Sequence, residues 1–243
     1  MTSHLRQNLH NHTRFSDGRH TVEQLIEEAR RRHLTALGVS DHFFTRKVYR
    51  RTDVAEWCRS ALPAYLQMAD EARRQAPREL KVWWGLEIDS CFDRIGTDLA
   101  GLPWPALNRL DYLLFEYVGE PGHGGMPFER LHELSQHCRI PVILAHPDPT
   151  QWEETLPIDR AFAIVRECGV ALEVPGGRRN PRRWGPNDVA RLAGVPLTIG
   201  CDTHESIADV GAIDGVVQFL VDHGLVGQVT DPDRLGPPRG GNE

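Results

Sequence analysis

A chain of 243 residues is long for one average domain but suits a single α/β barrel, and 40% hydrophobic with 26% charged residues gives a globular protein material for a sizeable core. The net charge of −6 argues against a protein that coats nucleic acid through its overall field, leaving room only for a local basic mouth. Five cysteines (Cys58, Cys91, Cys138, Cys168 and Cys201) in no paired spacing argue against a disulfide framework or zinc finger, and no apolar run approaches the roughly 18 residues of a membrane span, so reduced thiols in a cytoplasmic protein are expected.

Strand-like and helix-like runs alternate from end to end without an internal repeat, which predicts a parallel sheet. His10 and His12 alternate with Leu9 and Asn11, so a strand over 5–12 would send both imidazoles from one face. Ser16-Asp17-Gly18 is turn chemistry that could fold Asp17 back toward them, the glycine supplying unusual backbone angles. Thr21 is placed to cap a helix built on Val22, Leu25, Ile26 and Ala29, with Gln24 completing a capping box and an end near His33. A second strand over 36–40 ends in Asp41-His42, and a basic loop from Arg46 to Arg51 follows. Asp53 caps a long helix toward Ala76, which Pro63 is expected to kink or divide.

The third strand, Val82 to Ile88, carries Trp83 and Trp84 on opposite faces, and 90–110 reads as an irregular loop with one helical turn. A fourth strand over Asp111 to Val118 leads into a glycine-rich loop and a helix from about Pro127 to Cys138. The fifth strand, Val142 to Ala145, ends in His146-Pro147. Pro157 begins a helix that Gly169 closes, and strand six, Val170 to Val174, runs into a loop carrying Arg178, Arg179, Arg182 and Arg183. A short helix from Pro186 precedes strand seven, Leu197 to Ile199, which ends in Asp202-Thr203-His204. The last helix covers roughly Gly211 to His223. One barrel domain over 1–230 and a loose Pro/Gly-rich tail over 231–243 are expected.

The chemistry-bearing residues are unevenly distributed. His10, His12, His42, Glu87, His146, Glu173, Asp202 and His204 all lie at or near the carboxyl ends of predicted strands, where a barrel of this type gathers its chemistry at one mouth. His4, His20, His33, His132, His137 and His223 fall elsewhere and receive no role. Imidazoles mixed with carboxylates suit Zn²⁺, Mn²⁺ or Fe²⁺. The basic loops after strands two and six should rise around the mouth, and Arg178, Arg182 and Arg183 are candidates to grip a substrate phosphate through the planar guanidinium fork.

The ordered set His10-x-His12 with Ser16-Asp17-Gly18, Ser40-Asp41-His42, Gly85-Leu86-Glu87, Leu144-Ala145-His146-Pro147 and Gly200-Cys201-Asp202-Thr203-His204 resembles the polymerase-and-histidinol-phosphatase (PHP) family over roughly residues 8–224. The resemblance implies a distorted seven-stranded (β/α)7 TIM-like barrel with two or three divalent metal ions at its carboxyl mouth. It implies that His10, His12 and Asp202 hold a first ion, that Glu87 bridges it to a second also held by His146, and that Asp17, His42 and His204 hold a third. The family usually has a histidine at the end of its fourth strand, where this chain places Val118. Glu116, two residues earlier on the same strand face, and His123 in the following loop are the alternatives, Glu116 being favoured because a strand positions a ligand more rigidly than a loop. Cys201 is expected to be a packed side chain rather than a ligand, and Glu173 to orient a ligand or recognise substrate.

What the resemblance implies is a phosphoesterase. Three divalent ions would outweigh the carboxylates of the mouth and leave it attractive to phosphate, and attack on phosphorus by metal-activated hydroxide would follow. Asp202, Glu87 and His204 are the expected catalytic residues, with Asp202 assisting proton transfer. A small phosphomonoester is the expected substrate, histidinol phosphate being suggested by one branch of the family. The alternatives are a nuclease or phosphodiesterase acting on nucleic-acid ends, and a metal-binding regulatory module without turnover.

Overall fold

The computed structural model describes residues 3–177, 184 and 186–240. Seven parallel strands lie in sequence order: β1 (Gln7–Asn8), β2 (Ala36–Val39), β3 (Lys81–Asp89), β4 (Tyr112–Glu116), β5 (Val142–Leu144), β6 (Ala171–Pro175) and β7 (Leu197–Gly200). The register pairs Asn8 with Leu37, Val39 with Trp84, Glu87 with Leu114, and Glu173 with Thr198. The sheet curls until its edges meet: Leu9 N–H donates to the Ile199 carbonyl at 2.8 Å and His12 N–H to the Thr203 carbonyl at 2.9 Å. The result is the expected TIM-like barrel, nearly closed with seven strands.

Helices cover the outside. In α1 (Val22–Arg31) the expected capping box forms, the Thr21 hydroxyl accepting from Gln24 N–H and the Gln24 amide oxygen from Thr21 N–H. Asp53 caps α2 (Val54–Gln75), which runs unbroken through Pro63. The proline ring is exposed, while Trp57 and Leu62 before it and Tyr65, Leu66, Ala69 and Ala72 after it are all buried, so packing on both sides holds one helix where a kink or a division was expected, and the division does not occur. The segment 90–110 contains α3 (Phe92–Ile95), a 3-10 turn at Leu99–Gly101 and α4 (Trp104–Leu107), turns too short to leave a periodic signature. Farther on come α5 (Leu131–His137), α6 (Pro149–Trp152), α7 (Ile158–Cys168), α8 (Pro186–Arg191) and α9 (Asp214–Asp222), with Gly169 closing α7 in the left-handed conformation as expected.

Alternation along β3 explains the layering of the lumen. Val82, Trp84, Leu86 and Ile88 pack outward in the large helix-facing core, whereas Trp83 joins a small inner cluster with Leu9, Tyr112, Leu114, Ile143 and Leu235. Tyr112 crosses the lumen and its hydroxyl donates to the Leu9 carbonyl at 2.6 Å. Gly38 makes room for it: a Cβ there would lie 2.3 Å from the Tyr112 hydroxyl and 2.7 Å from the Leu9 backbone. Because the backbone cannot yield, Gly38→Ala is expected to cost about 1–3 kcal/mol by overpacking, read as a lower midpoint in urea unfolding at unchanged slope. The segment after 230, expected to be a loose tail, supplies Leu235 to this inner cluster, and Arg239 N–H donates to the Cys168 carbonyl at 2.8 Å. No helix among the described residues is long and apolar enough to cross a membrane.

Candidate metal centre

Above the apolar floor the inward positions turn polar. Glu87, on the inner face of β3 two residues beyond Gly85, is 1% exposed and faces four imidazoles. Its Oε1 lies 3.3 Å from His10 Nε2 and 3.1 Å from His146 Nε2; its Oε2 lies 3.3 Å from His12 Nε2 and 3.1 Å from His42 Nδ1. Asp202, just past β7, sits 3.4 Å from His10 Nε2 and 3.3 Å from His12 Nε2. The two histidines do not belong to a strand as expected, because β1 ends at Asn8. The Asn8 amide oxygen accepts from His10 N–H and Cys201 N–H, taking the chain out of the ladder while Asn11 bridges to Thr203. Both imidazoles still converge, with their Nε2 atoms 3.0 Å apart.

On the outer side Asp17 lies 3.3 Å from His204 Nε2, 3.6 Å from His12 Nδ1 and 3.7 Å from His42 Nε2. The turn that carries it is tied down by buried Asp41, whose carboxylate accepts from Thr13 N–H, the Thr13 hydroxyl and the Ser16 hydroxyl. Asp41 was visible beside His42 in the sequence, but nothing in its spacing marked it as an anchor. Gly18 is required there by proximity, not by the unusual backbone angles expected of it: its φ is not positive, and a Cβ would lie 2.3 Å from the His12 carbonyl.

Three sets of donors therefore come together among the described residues: His10, His12, Glu87 and Asp202; His12, Asp17, His42 and His204; and His42, Glu87 and Glu116. His12 stands between the first two. Among the described residues, three of the four non-glycine residues with left-handed backbone, Tyr117, His146 and Asp202, lie one or two residues beyond β4, β5 and β7 at this mouth, a concentration of backbone strain typical of a working site.

The donor chemistry fits divalent metal. Nitrogen and carboxylate oxygen predominate, and Cys201 is buried with its thiol pushed up in pKa, as expected of a packed side chain. The His42 Nδ1 is buried without a hydrogen bond, leaving it available to an ion. Burial alone would raise the pKa of Glu87, but the charges of His10 and His42 hold it well below the usual range; burial of Asp202 is likewise outweighed by His10 and His12. These carboxylates thus require facing positive charge, which divalent ions would supply. His10 is held through its other nitrogen, Nδ1 lying 2.7 Å from Glu173 Oε2, the arrangement that leaves Nε2 as the lone-pair donor. Glu173→Gln is expected to weaken metal binding about 10–100-fold, measured by competition with a coloured chelator.

Of the two replacements considered for the fourth-strand histidine, the structure brings only Glu116 into the cluster. Its Oε1 is 3.9 Å from His42 Nδ1, whereas His123 is exposed and stacks on Tyr117 at 4.4 Å. Val118 is buried in the outer core. Lys47, one charge among several in the loop after β2, reaches into the mouth and pairs with Glu116, an outcome that no spacing rule singled out. Arg178, Arg179, Arg182 and Arg183 lie outside the described residues.

Fold and mouth together define an α/β-barrel protein with a His/Asp/Glu cluster capable of holding metal. The family model of the PHP domain matches residues 8–145, and the chain belongs to the PHP family. Membership supports a metal-dependent phosphoesterase. His146, Glu173, Asp202 and His204 lie beyond the matched residues, and the fold brings them to the same mouth. A solved structure of a candidate histidinol phosphatase from Listeria monocytogenes is similar with a TM-score of 0.56 and 17% identity, covering 88% of this chain and 99% of that one, a likeness of fold. No curated protein sequence matches the chain.

Proposed function

We propose that the protein is a metal-dependent phosphomonoesterase acting on a small phosphorylated molecule. The observation that carries this reading is the size of the cavity at the mouth: among the described residues Glu87, Asp202, His42, His146 and His204 line a space of about 240 Å³ together with Lys47, Val48 and Tyr117. That space suits a phosphoryl group with a short length of its alcohol and is too small for a duplex. Divalent Zn, Mn or Fe, when bound, would polarise the P–O bonds and acidify water. The chain's own residues do the rest. Glu87 and Asp202 hold the central negative charge, Glu173 fixes the His10 ring, and the Asp41-anchored turn sets Asp17 against His204. Asp202, 3.4 Å from His204 Nδ1, is the proposed site of proton transfer. Arg178, Arg182 and Arg183 are retained as proposed phosphate contacts on the strength of their place after β6.

The test is phosphate release from a panel of phosphomonoesters by the full chain loaded in turn with Mn²⁺, Zn²⁺ and Fe²⁺. Metal-dependent turnover of at least one small monoester, with diesters and nucleic-acid ends left intact, is expected. Turnover confined to diesters or nucleic-acid ends would replace this reading with a nuclease. Full metal loading without turnover of any of them would leave a regulatory module.

A further inference from the structure

The third donor set holds a cation of its own. Glu116 is 2% exposed at the end of β4, and the oxygen that faces His42, Oε1, is the one that pairs with the Lys47 ammonium. The same ammonium donates to the Tyr117 hydroxyl at 3.4 Å and forms an ion pair with Asp89 Oδ2 at 3.5 Å, so it faces three oxygens. The surroundings fix it in place. Asp89, 1% exposed, is clamped by Arg94 through Nε at 2.6 Å and Nη2 at 2.8 Å, and the ammonium lies 4.6 Å from the centre of the Tyr117 ring. Tyr117 in turn sits in the left-handed conformation at φ 65°, with His123 stacked on it.

We propose that the Lys47 ammonium is a built-in substitute for a metal ion at the Glu116 donor set, so that the chain holds two divalent ions and one fixed organic cation. A divalent ion seated between His42, Glu87 and Glu116 would need the carboxylate the ammonium occupies and would meet a like charge across it. Glu116 then serves as the counter-charge of Lys47 and not as a metal ligand. Unlike an ion in exchange with solvent, the ammonium keeps positive charge on that wall of the cavity at any metal concentration. The inference rests on the metal-centre reading above but not on turnover.

The experiment is metal content of the full chain, stripped, reloaded with Mn²⁺ alone and counted by inductively coupled plasma mass spectrometry, with folding checked by circular dichroism. Two ions per chain are expected for the unaltered protein, two for Glu116→Gln, and three for Lys47→Met, which keeps the stem and removes the charge. A count other than two in the unaltered protein, a lower count in Glu116→Gln, or a folded Lys47→Met that stays at two would overturn the proposal. Should Lys47→Met fail to fold, the other two counts decide the matter. Two ions without phosphate release would sink the phosphatase reading and leave this inference standing; three ions with turnover would do the reverse.

Discussion

Glu87→Gln is expected to lower phosphate release about a thousandfold and to reduce the metal held by at least one ion per chain. The side chain is isosteric, so the packing of β3 survives; what disappears is a negative charge shared among His10, His12, His42 and His146, each within 3.3 Å. Losing a preorganised charged group at a reacting centre costs on the order of 10²–10³ in rate, and here the group also belongs to the donor set around His10. Phosphate release and metal content measured on one preparation check both halves, and a variant that kept its rate within tenfold would remove Glu87 from the centre of the chemistry.

Chelation by EDTA is expected to lower the melting temperature by roughly 8–16 °C. A ligand present at about a thousand times its dissociation constant contributes about 4 kcal/mol to the folded state, and in a domain of this size each kcal/mol moves the midpoint by about 2–4 °C. The effect should be large because the donors come from distant parts of the chain: His10 follows β1, His42 follows β2, Glu87 lies on β3 and Asp202 follows β7. An ion there cross-links elements that lie far apart in the sequence. The sign with pH follows from His12, where burial is outweighed by the bonds to Asp202 and Glu87 and the pKa rises to about 10. A proton competes with metal for that nitrogen, so the gap between loaded and chelated protein should shrink as pH falls. Scanning calorimetry with and without chelator reads the difference, and coincident transitions near neutral pH would mean that metal is not part of the folded structure.

Much of this was legible because it is written locally. The reciprocal contact of Thr21 and Gln24 needs only three residues of spacing, and histidines and carboxylates at strand ends are gathered by the barrel whatever its details. What escaped was decided at a distance. Lys47 in the sequence is one of several basic residues in a loop, and its partners Asp89, Glu116 and Tyr117 are brought to it by two other strands. Pro63 reads as a helix breaker until the buried residues on either side of it are seen to pack on one face. The turns at 92–95 and 104–107 are shorter than the window in which a helical period can be recognised.

The Tyr112 hydroxyl tied to Leu9, with Trp83, Leu114, Ile143 and Leu235 beneath, plugs the barrel below its chemistry. The mouth is therefore a blind cup. Among the described residues, Lys47, Val48 and Tyr117 line the cavity in which Glu87 stands. Traffic in such a cup is last in, first out: the part of a bound molecule nearest solvent leaves before the part resting on the floor, so under the proposed phosphatase reading the alcohol would clear the passage first and departure of the phosphate would govern when the next molecule can enter.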